Sequence, residues 1–255
     1  MPDFHVFIPA RLESTRLPQK PLIDLNGIPM IVRVAQIALQ SNALSVVVAC
    51  DDEKILHTCQ QHNIAAVLTD KHHQNGTERL AQALKLQGFL NDEIIVNLQG
   101  DEPLMNPEAL NLVATTLEKS GAAMATLATP FKDFAAFQNP NNVKVVANQK
   151  NEALYFSRAA IPFSRDNPNA LPCAAFKHIG LYAYRAAFVK RFLELPPSPL
   201  EKIEMLEQLR TLWHGEKIAL AILKNGDFVG VDTLEDAEHV RQILKSRLKK
   251  RDFPR

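Results

Sequence analysis

Across the first 130 residues, short apolar runs alternate with stretches of helical period, and this alternation constrains the fold more than any other feature of the chain. The runs HVFIPA (5–10), LSVVVAC (44–50), AAVLT (65–69), EIIVNLQ (93–99) and AMATLATP (123–130) are too short for buried helices and read as strands covered on both faces. Between them, residues 30–40, 53–62, 77–86 and 107–119 place apolar side chains three and four apart, as helices packed on a sheet do. The pattern predicts an α/β fold with right-handed crossovers and a largely parallel sheet.

Beyond residue 140 the rhythm changes. VKVVANQ (143–149), EALYFSR (152–158) and HIGLYAYR (178–185) read as closely spaced strands, with a Pro- and Asn-rich loop at 166–172. They predict an antiparallel excursion. Helices are expected at 186–195 and 200–214, a strand at IALAILK (218–224) and a last helix at 234–248. The return to the earlier rhythm favours one domain spanning 1–255. Apolar residues Val143 to Val146, Phe156 and Ile161 make 131–200 the expected dimer interface.

Charge narrows the function classes. With 29 Lys plus Arg against 28 Asp plus Glu the net charge is +1, which argues against a nucleic-acid binder held by bulk charge. No run approaches 18 apolar residues and the start MPDFHVFIPARLES does not resemble a secretory leader, so a cytoplasmic protein without membrane insertion is expected. Three cysteines, Cys50, Cys59 and Cys173, without a CxxC pair suit buried thiols in a reducing compartment. The eight histidines form no zinc-ligand spacing, and no GxSxG or cysteine nucleophile signature is present.

The chemistry gathers where strands end. IPARLESTRLPQKPL (8–22) places Arg11, Arg16 and Lys20 with the hydroxyls of Ser14 and Thr15 after the first strand, at the rim where open α/β sheets bind ligands. Such a set suits a polyphosphate, although composition alone equally allows a solvated basic loop. The stretch contains no glycine, so it is neither the GxxxxGK[ST] phosphate loop nor the GxGxxG dinucleotide fingerprint. VNLQGDEPL (96–104) puts Asp101 at the end of the fourth strand beside Gly100, either as a turn or as a hard-oxygen ligand for Mg²⁺. In GVDTLEDAE (230–238), Asp232 is a candidate second ligand or a helix N-cap, and Thr233 with Asp236 has capping-box spacing. NGTERLAQAL (75–84) opens a helix with Gly76 and Thr77, and Arg79 in its first turn opposes the helix dipole, which hints at a ligand; capping by Thr77 is the plainer reading.

These segments, with NPNNVKVV (139–146), ALYFSRAAIPFSRD (153–166), HIGLYAYR and SPLEKIEMLEQLR (198–210), closely resemble the 3-deoxy-manno-octulosonate cytidylyltransferases nearly end to end. The resemblance implies a Rossmann-like nucleotidyltransferase that transfers a cytidylyl group from CTP to 3-deoxy-manno-octulosonate (Kdo), releasing diphosphate for lipopolysaccharide assembly. It further implies a cytoplasmic, Mg²⁺-dependent homodimer. Carried over by position, Arg11, Lys20 and Asp101 are the expected catalytic residues. The nucleotide would be bound by Ala10, Arg11, Ser14, Arg16, Lys20, Gly76, Thr77 and Arg79, and the metal by Asp101 and Asp232. Gln99, Arg158, His178, Tyr182, Glu207 and Gln208 correspond to the sugar site, with Arg158 as the carboxylate clamp. Glu207 and Gln208 are expected on an amphipathic helix whose Ile203, Leu206, Leu209 and Leu212 face the core.

Two departures stand out: Gln19 occupies a position where relatives often carry glycine (LPGKPL), and the stretch between Asp166 and His178 is shorter than in some relatives. The first puts loop geometry in question and the second sugar specificity. The same chemistry on 8-amino-3,8-dideoxy-manno-octulosonate is the main alternative. A sialic acid enzyme would carry another sugar-site pattern, and a non-catalytic CTP-binding protein would be expected to have lost one of Arg11, Lys20, Asp101 and Asp232.

Overall fold

Strands and helices alternate from the start of the chain in the computed structural model, which describes residues 1–14, 16–73, 75–89, 91–224 and 228–252, with side chains to 247. In order they are β1 (Phe4–Ala10), α1 (Met30–Ala38), β2 (Ser45–Cys50), α2 (Glu53–Gln61), β3 (Ala66–Leu68), α3 (Gly76–Gln87), β4 (Ile94–Asn97), α4 (Pro107–Ser120) and β5 (Met124–Pro130). There follow α5 (Phe134–Gln138), β6 (Lys144–Ala147), β7 (Ala153–Ser157), β8 (Phe176–Arg185), α6 (Ala186–Glu194), α7 (Pro199–Glu204), α8 (Leu209–Trp213), β9 (Ile218–Ile222) and α9 (Leu234–Asp252). A 3₁₀ turn covers Lys20–Leu22. The fold is mixed α/β, as the sequence predicts.

The chain forms two compact units. The first comprises Asp3–Leu90, Asn97–Leu110 and Phe228–Arg255; the second comprises Met1–Pro2, Asn91–Val96 and Asn111–Asp227.

In the first unit β1 lies parallel to β2 from His5 opposite Ser45 to Ala10 opposite Cys50, and β2 lies parallel to β3. Val6, Phe7 and Ile8 of β1 are all buried, the signature of a strand covered on both faces. Helical period likewise buries Met30, Ile31, Val34 and Ala35 of α1 and Leu80, Ala83 and Leu84 of α3. Each side chain of leucine size so buried contributes about 1.5–3 kcal/mol. Side-chain caps fix where the helices begin: Asp52 accepts from the Lys54 N–H, and Asn75 accepts from the Glu78 N–H. The cap of α3 is therefore Asn75, not Thr77, whose side chain is buried.

The second unit holds the strand order β4-β8-β5-β9. Here β5 is parallel to β9 and antiparallel to β8, and β6 pairs antiparallel with β7 and β8. This is the antiparallel excursion that the closely spaced strands imply. The register of β5 against β8 slips between Thr126 and Leu127, so Thr126 faces Tyr182 while Leu127 faces Ile179.

One expected element is broken. The single helix at 200–214 is two, α7 and α8, separated by Met205 in the left-handed conformation (φ 52°). Arg158 accounts for the break: its Nε donates to the Glu204 carbonyl at 2.8 Å and its second terminal nitrogen to that of Met205 at 3.4 Å. A continuous helix would use those carbonyls itself. The apolar phase is lost across the break, so Leu206 and Leu209 are buried while Ile203 is 79% exposed.

Cys50 and Cys59 are buried, and burial raises their thiols to about 11 and about 12. Cys173 is exposed, contrary to expectation. No helix among the described residues is long and apolar enough to cross a membrane.

Candidate active site

A cleft of about 340 Å³ opens in the first unit at the carboxyl end of β1. The segment leaving β1 supplies Ala10, Arg11, Ser14, Arg16 and Lys20; the start of α3 supplies Gly76 and Arg79; Gln99, Gly100 and Asp101 follow β4; and Asp232 precedes α9. Thr15 lies outside the described residues. Thr77 does not belong to the lining.

At the centre of the cleft, Lys20 Nζ donates to Asp101 Oδ2 at 2.6 Å and to Asp232 Oδ1 at 2.8 Å. Burial lowers the Lys20 pKa, but the two carboxylates outweigh it and hold the group above its ordinary value. Arg16 reaches the same Asp232 oxygen at 3.1 Å. Local rules aim these groups. Gly100 lets the end of β4 close on β1, since a Cβ there would sit 3.0 Å from the Pro9 carbonyl. The Val231 N–H donates to the Asp101 carbonyl at 2.9 Å, drawing the two acidic segments together. Thr233 and Asp236 form the expected reciprocal cap of α9: Thr233 Oγ1 accepts from the Asp236 N–H, and Asp236 Oδ2 accepts from the N–H groups of Asp232 and Thr233. Asp232 is thus not the cap, and its carboxylate faces Lys20.

Gln19 has φ 52°, immediately before the catalytic candidate Lys20. This is the left-handed region that glycine occupies freely and that costs an L-residue about 1–2 kcal/mol. The departure from the LPGKPL pattern therefore keeps the turn and adds strain to it.

Arg79 has a different setting from the one its place in the first turn suggests. It is 3% exposed, and its charge is met by Asp51 Oδ2 at 3.2 Å and by Thr69 Oγ1 at 2.7 Å. Burial lowers its pKa and the Asp51 charge opposes that shift. Sequence reasoning missed Asp51, His73 and Asn75. Asp51 had a legible signal, since it follows β2 at the same rim as Arg11 and Asp101.

The second unit gathers most of the remaining candidates. Thr126 Oγ1 lies 3.1 and 2.8 Å from the carbonyl oxygens of Ile179 and Leu181, which share its single proton, and 3.0 Å from His178 Nε2. Burial pushes the His178 pKa down to about 3, so the ring is neutral at physiological pH. Its ring contacts Phe156 edge-on at 5.0 Å and Tyr182 at 5.4 Å. Burial and the nearby Glu207 charge push the Tyr182 phenol well above its ordinary value. Glu207 and Gln208 sit in the turn between α7 and α8 and not on a helix face. Gln208 is 5% exposed, and its Nε2 has no protein partner among the described residues. Arg158 bonds the carbonyls of Pro140, Glu204 and Met205, and its backbone N–H donates to the Glu204 carboxylate. Its guanidinium is thus largely engaged in shaping the turn.

A family profile described as "Cytidylyltransferase" matches residues 5–218. The 3-deoxy-manno-octulosonate cytidylyltransferase of Yersinia enterocolitica is 49% identical over 249 residues, covering 96% of this chain and all of that protein. That of Polynucleobacter necessarius is 49% identical over 244 residues, covering 95% and 96% of the two chains. Among solved structures, CMP:2-keto-3-deoxy-manno-octonic acid synthetase in complex with CTP superposes with a TM-score of 0.89 at 36% identity, covering 96% of this chain and 100% of that one. Matches of this length and identity join the geometry of the cleft in one conclusion: the chain belongs to the 3-deoxy-manno-octulosonate cytidylyltransferase family.

Proposed function

We propose that this protein activates Kdo, joining it to the cytidylyl group of CTP and releasing diphosphate. The observation that carries the reading is the convergence of Lys20, Asp101 and Asp232 in a cleft that Arg11, Ser14 and Arg16 also line. The sugar's anomeric hydroxyl loses its proton to solvent as its oxygen bonds to the α-phosphorus and the bond from that phosphorus to the departing diphosphate breaks. Arg11, Arg16 and Lys20 neutralise charge on the triphosphate and on the leaving group, an electrostatic contribution that is largest where water is excluded. Gly76 and Arg79 border the side of the cleft where the cytosine is read, and Gln99 lines it for the sugar.

Asp101 and Asp232 fit Mg²⁺, because two hard carboxylate oxygens already converge on one cation and substrate phosphates and water complete such a shell. When bound, that ion supplies charge neutralisation and polarises a phosphoryl oxygen. His178, Tyr182, Glu207 and Gln208 hold the sugar: a neutral imidazole, an un-ionised phenol and a buried amide donor suit hydroxyl groups. Arg158 is assigned to the sugar carboxylate. Functionally, residues 1–255 act as one nucleotidyltransferase domain. Exposed Leu154, Phe163, Ile203 and Met205 support 131–200 as the main part of a homodimer interface, with Ile203 and Met205 just beyond it. Light scattering should give twice the chain mass. A cytoplasmic place in lipopolysaccharide assembly completes the reading.

The test is diphosphate release from CTP and Mg²⁺ with Kdo, its 8-amino analogue or a sialic acid. Release with Kdo that Asp101→Ala abolishes is expected. Release with the amino sugar alone would keep the chemistry and change the substrate. CTP binding with no release from any sugar would make the protein a non-catalytic nucleotide binder.

A further inference from the structure

We propose that Asp51 is a positioning residue of the nucleotide site, whose two carboxylate oxygens separately fix the polyphosphate loop and the helix at the base-reading side of the cleft. The inference rests on the reading that the cleft takes CTP.

Asp51 follows the last residue of β2 and is 8% exposed. Its Oδ1 accepts from the Leu12 N–H at 2.8 Å, next to Arg11 in the loop that carries Ser14, Arg16 and Lys20. Its Oδ2 accepts from Arg79 at 3.2 Å, in the first turn of α3. The other terminal nitrogen of Arg79 donates to Thr69 Oγ1 at 2.7 Å and to the Asp70 carbonyl at 3.2 Å, and Thr69 Oγ1 donates to the Cys50 carbonyl at 2.9 Å. The ends of β2 and β3 and the first turn of α3 are therefore linked through one run of hydrogen bonds, and the loop joins it at Asp51. Arg11 and Arg79 line the same cleft, and the Arg11 charge bears on Arg79. Asp51 is the carboxylate bonded to Arg79, so it lets two guanidinium groups share one cleft before any anion arrives.

The two oxygens do different work, and substitution separates them. Asp51→Asn keeps an oxygen for the Leu12 N–H and loses the charge opposite Arg79; Asp51→Ala loses both. Calorimetric titration of the full chain with CTP, cytidine 5′-monophosphate and inorganic tripolyphosphate reads each side. Asp51→Asn should weaken cytidine monophosphate and CTP about tenfold or more while tripolyphosphate stays within about twofold. Asp51→Ala should weaken all three. A uniform loss for all three ligands in Asp51→Asn, CTP affinity unchanged in both variants, or tripolyphosphate weakened while cytidine monophosphate is spared would each overturn the proposal. Should Asp51→Asn fail to fold, Asp51→Asn with Arg79→Gln leaves no uncompensated charge. That pair should lose cytidine monophosphate affinity and keep tripolyphosphate affinity, and parent-like cytidine monophosphate binding would overturn the role. Absence of CTP binding by the parent chain would sink the nucleotide reading itself, whereas parent CTP binding with an unaltered Asp51→Asn sinks the positioning role alone.

Discussion

Lys20 in the first unit and Lys144 in the second each bring an ammonium group out of water, and they do so with opposite partners. Lys20 sits on two carboxylates and its pKa is raised. Lys144 is completely buried, and its Nζ donates to the backbone carbonyls of Asn139 at 2.9 Å and Arg158 at 2.6 Å. Burial lowers its pKa, with Glu204 opposing and Arg158 assisting. An ammonium held by carboxylates can be exchanged for another cation or turned toward an incoming phosphate, because its partners and its substrate are all charged. An ammonium held by carbonyls has no such alternative, and its removal leaves two polar groups stranded. The first unit keeps its charge available for chemistry. The second uses charge to fix backbone, joining the 139–144 segment to Arg158, the residue that follows β7.

This contrast can be broken most directly at Lys20. Lys20→Met should lower kcat/KM for diphosphate release by about 10²–10³-fold, the size of losing one positioned electrostatic donor. A loss below tenfold would move Lys20 out of the catalytic set. Lys144→Met should behave in the reverse way, costing about 2 kcal/mol in urea unfolding as its carbonyls lose a donor, with CTP affinity unchanged; a large fall in CTP affinity without loss of stability would erase the distinction.

The neutral imidazole of His178 in the second unit also predicts a pH dependence. The unfolded chain binds a proton at His178 near pH 6.5 and the folded chain only near pH 3. Between those values the unfolded state holds more protons, so stability falls as the pH is lowered, by up to about 1.4 kcal/mol per unit. Urea midpoints at pH 7, 6 and 5 should fall less steeply in His178→Asn, and parallel curves would show that His178 titrates normally. The smallest effect is expected at the edge of the charged site, where Gln19→Gly should raise the unfolding free energy by about 1 kcal/mol or less, glycine relieving the left-handed strain while gaining freedom in the unfolded chain. A destabilised Gln19→Gly would mean that the Gln19 side chain holds the turn.

How much of this was legible follows from how local each determinant is. The parallel strands and their helices were readable because Val6 to Ile8, Val46 to Cys50 and the helix faces carry their burial in their own period. Asp101 and Asp232 were readable as candidates because each follows an apolar segment at a rim. The α7 to α8 break was not, since the periodicity of 203, 206, 209 and 212 is helical and the contradiction comes from Arg158, about 46 residues away in sequence. Arg79 looked like a cation awaiting a ligand because its partner, Asp51, lies 28 residues earlier. Gln19 shows the reverse case: the sequence marks the position by its missing glycine, and the left-handed φ supplies the reason.

The Lys20 contacts to Asp101 and Asp232 span 81 and 212 residues of chain. During synthesis at about 5–20 residues per second, Asp232 is added about 10–40 s after Lys20. For that interval a nascent chain can form β1, its basic loop and the first parallel strand pairs, yet it carries only part of the cluster that balances them. The site therefore cannot close before residue 232 is added, and its completion reports that both the fourth strand and the lead into α9 have found their places.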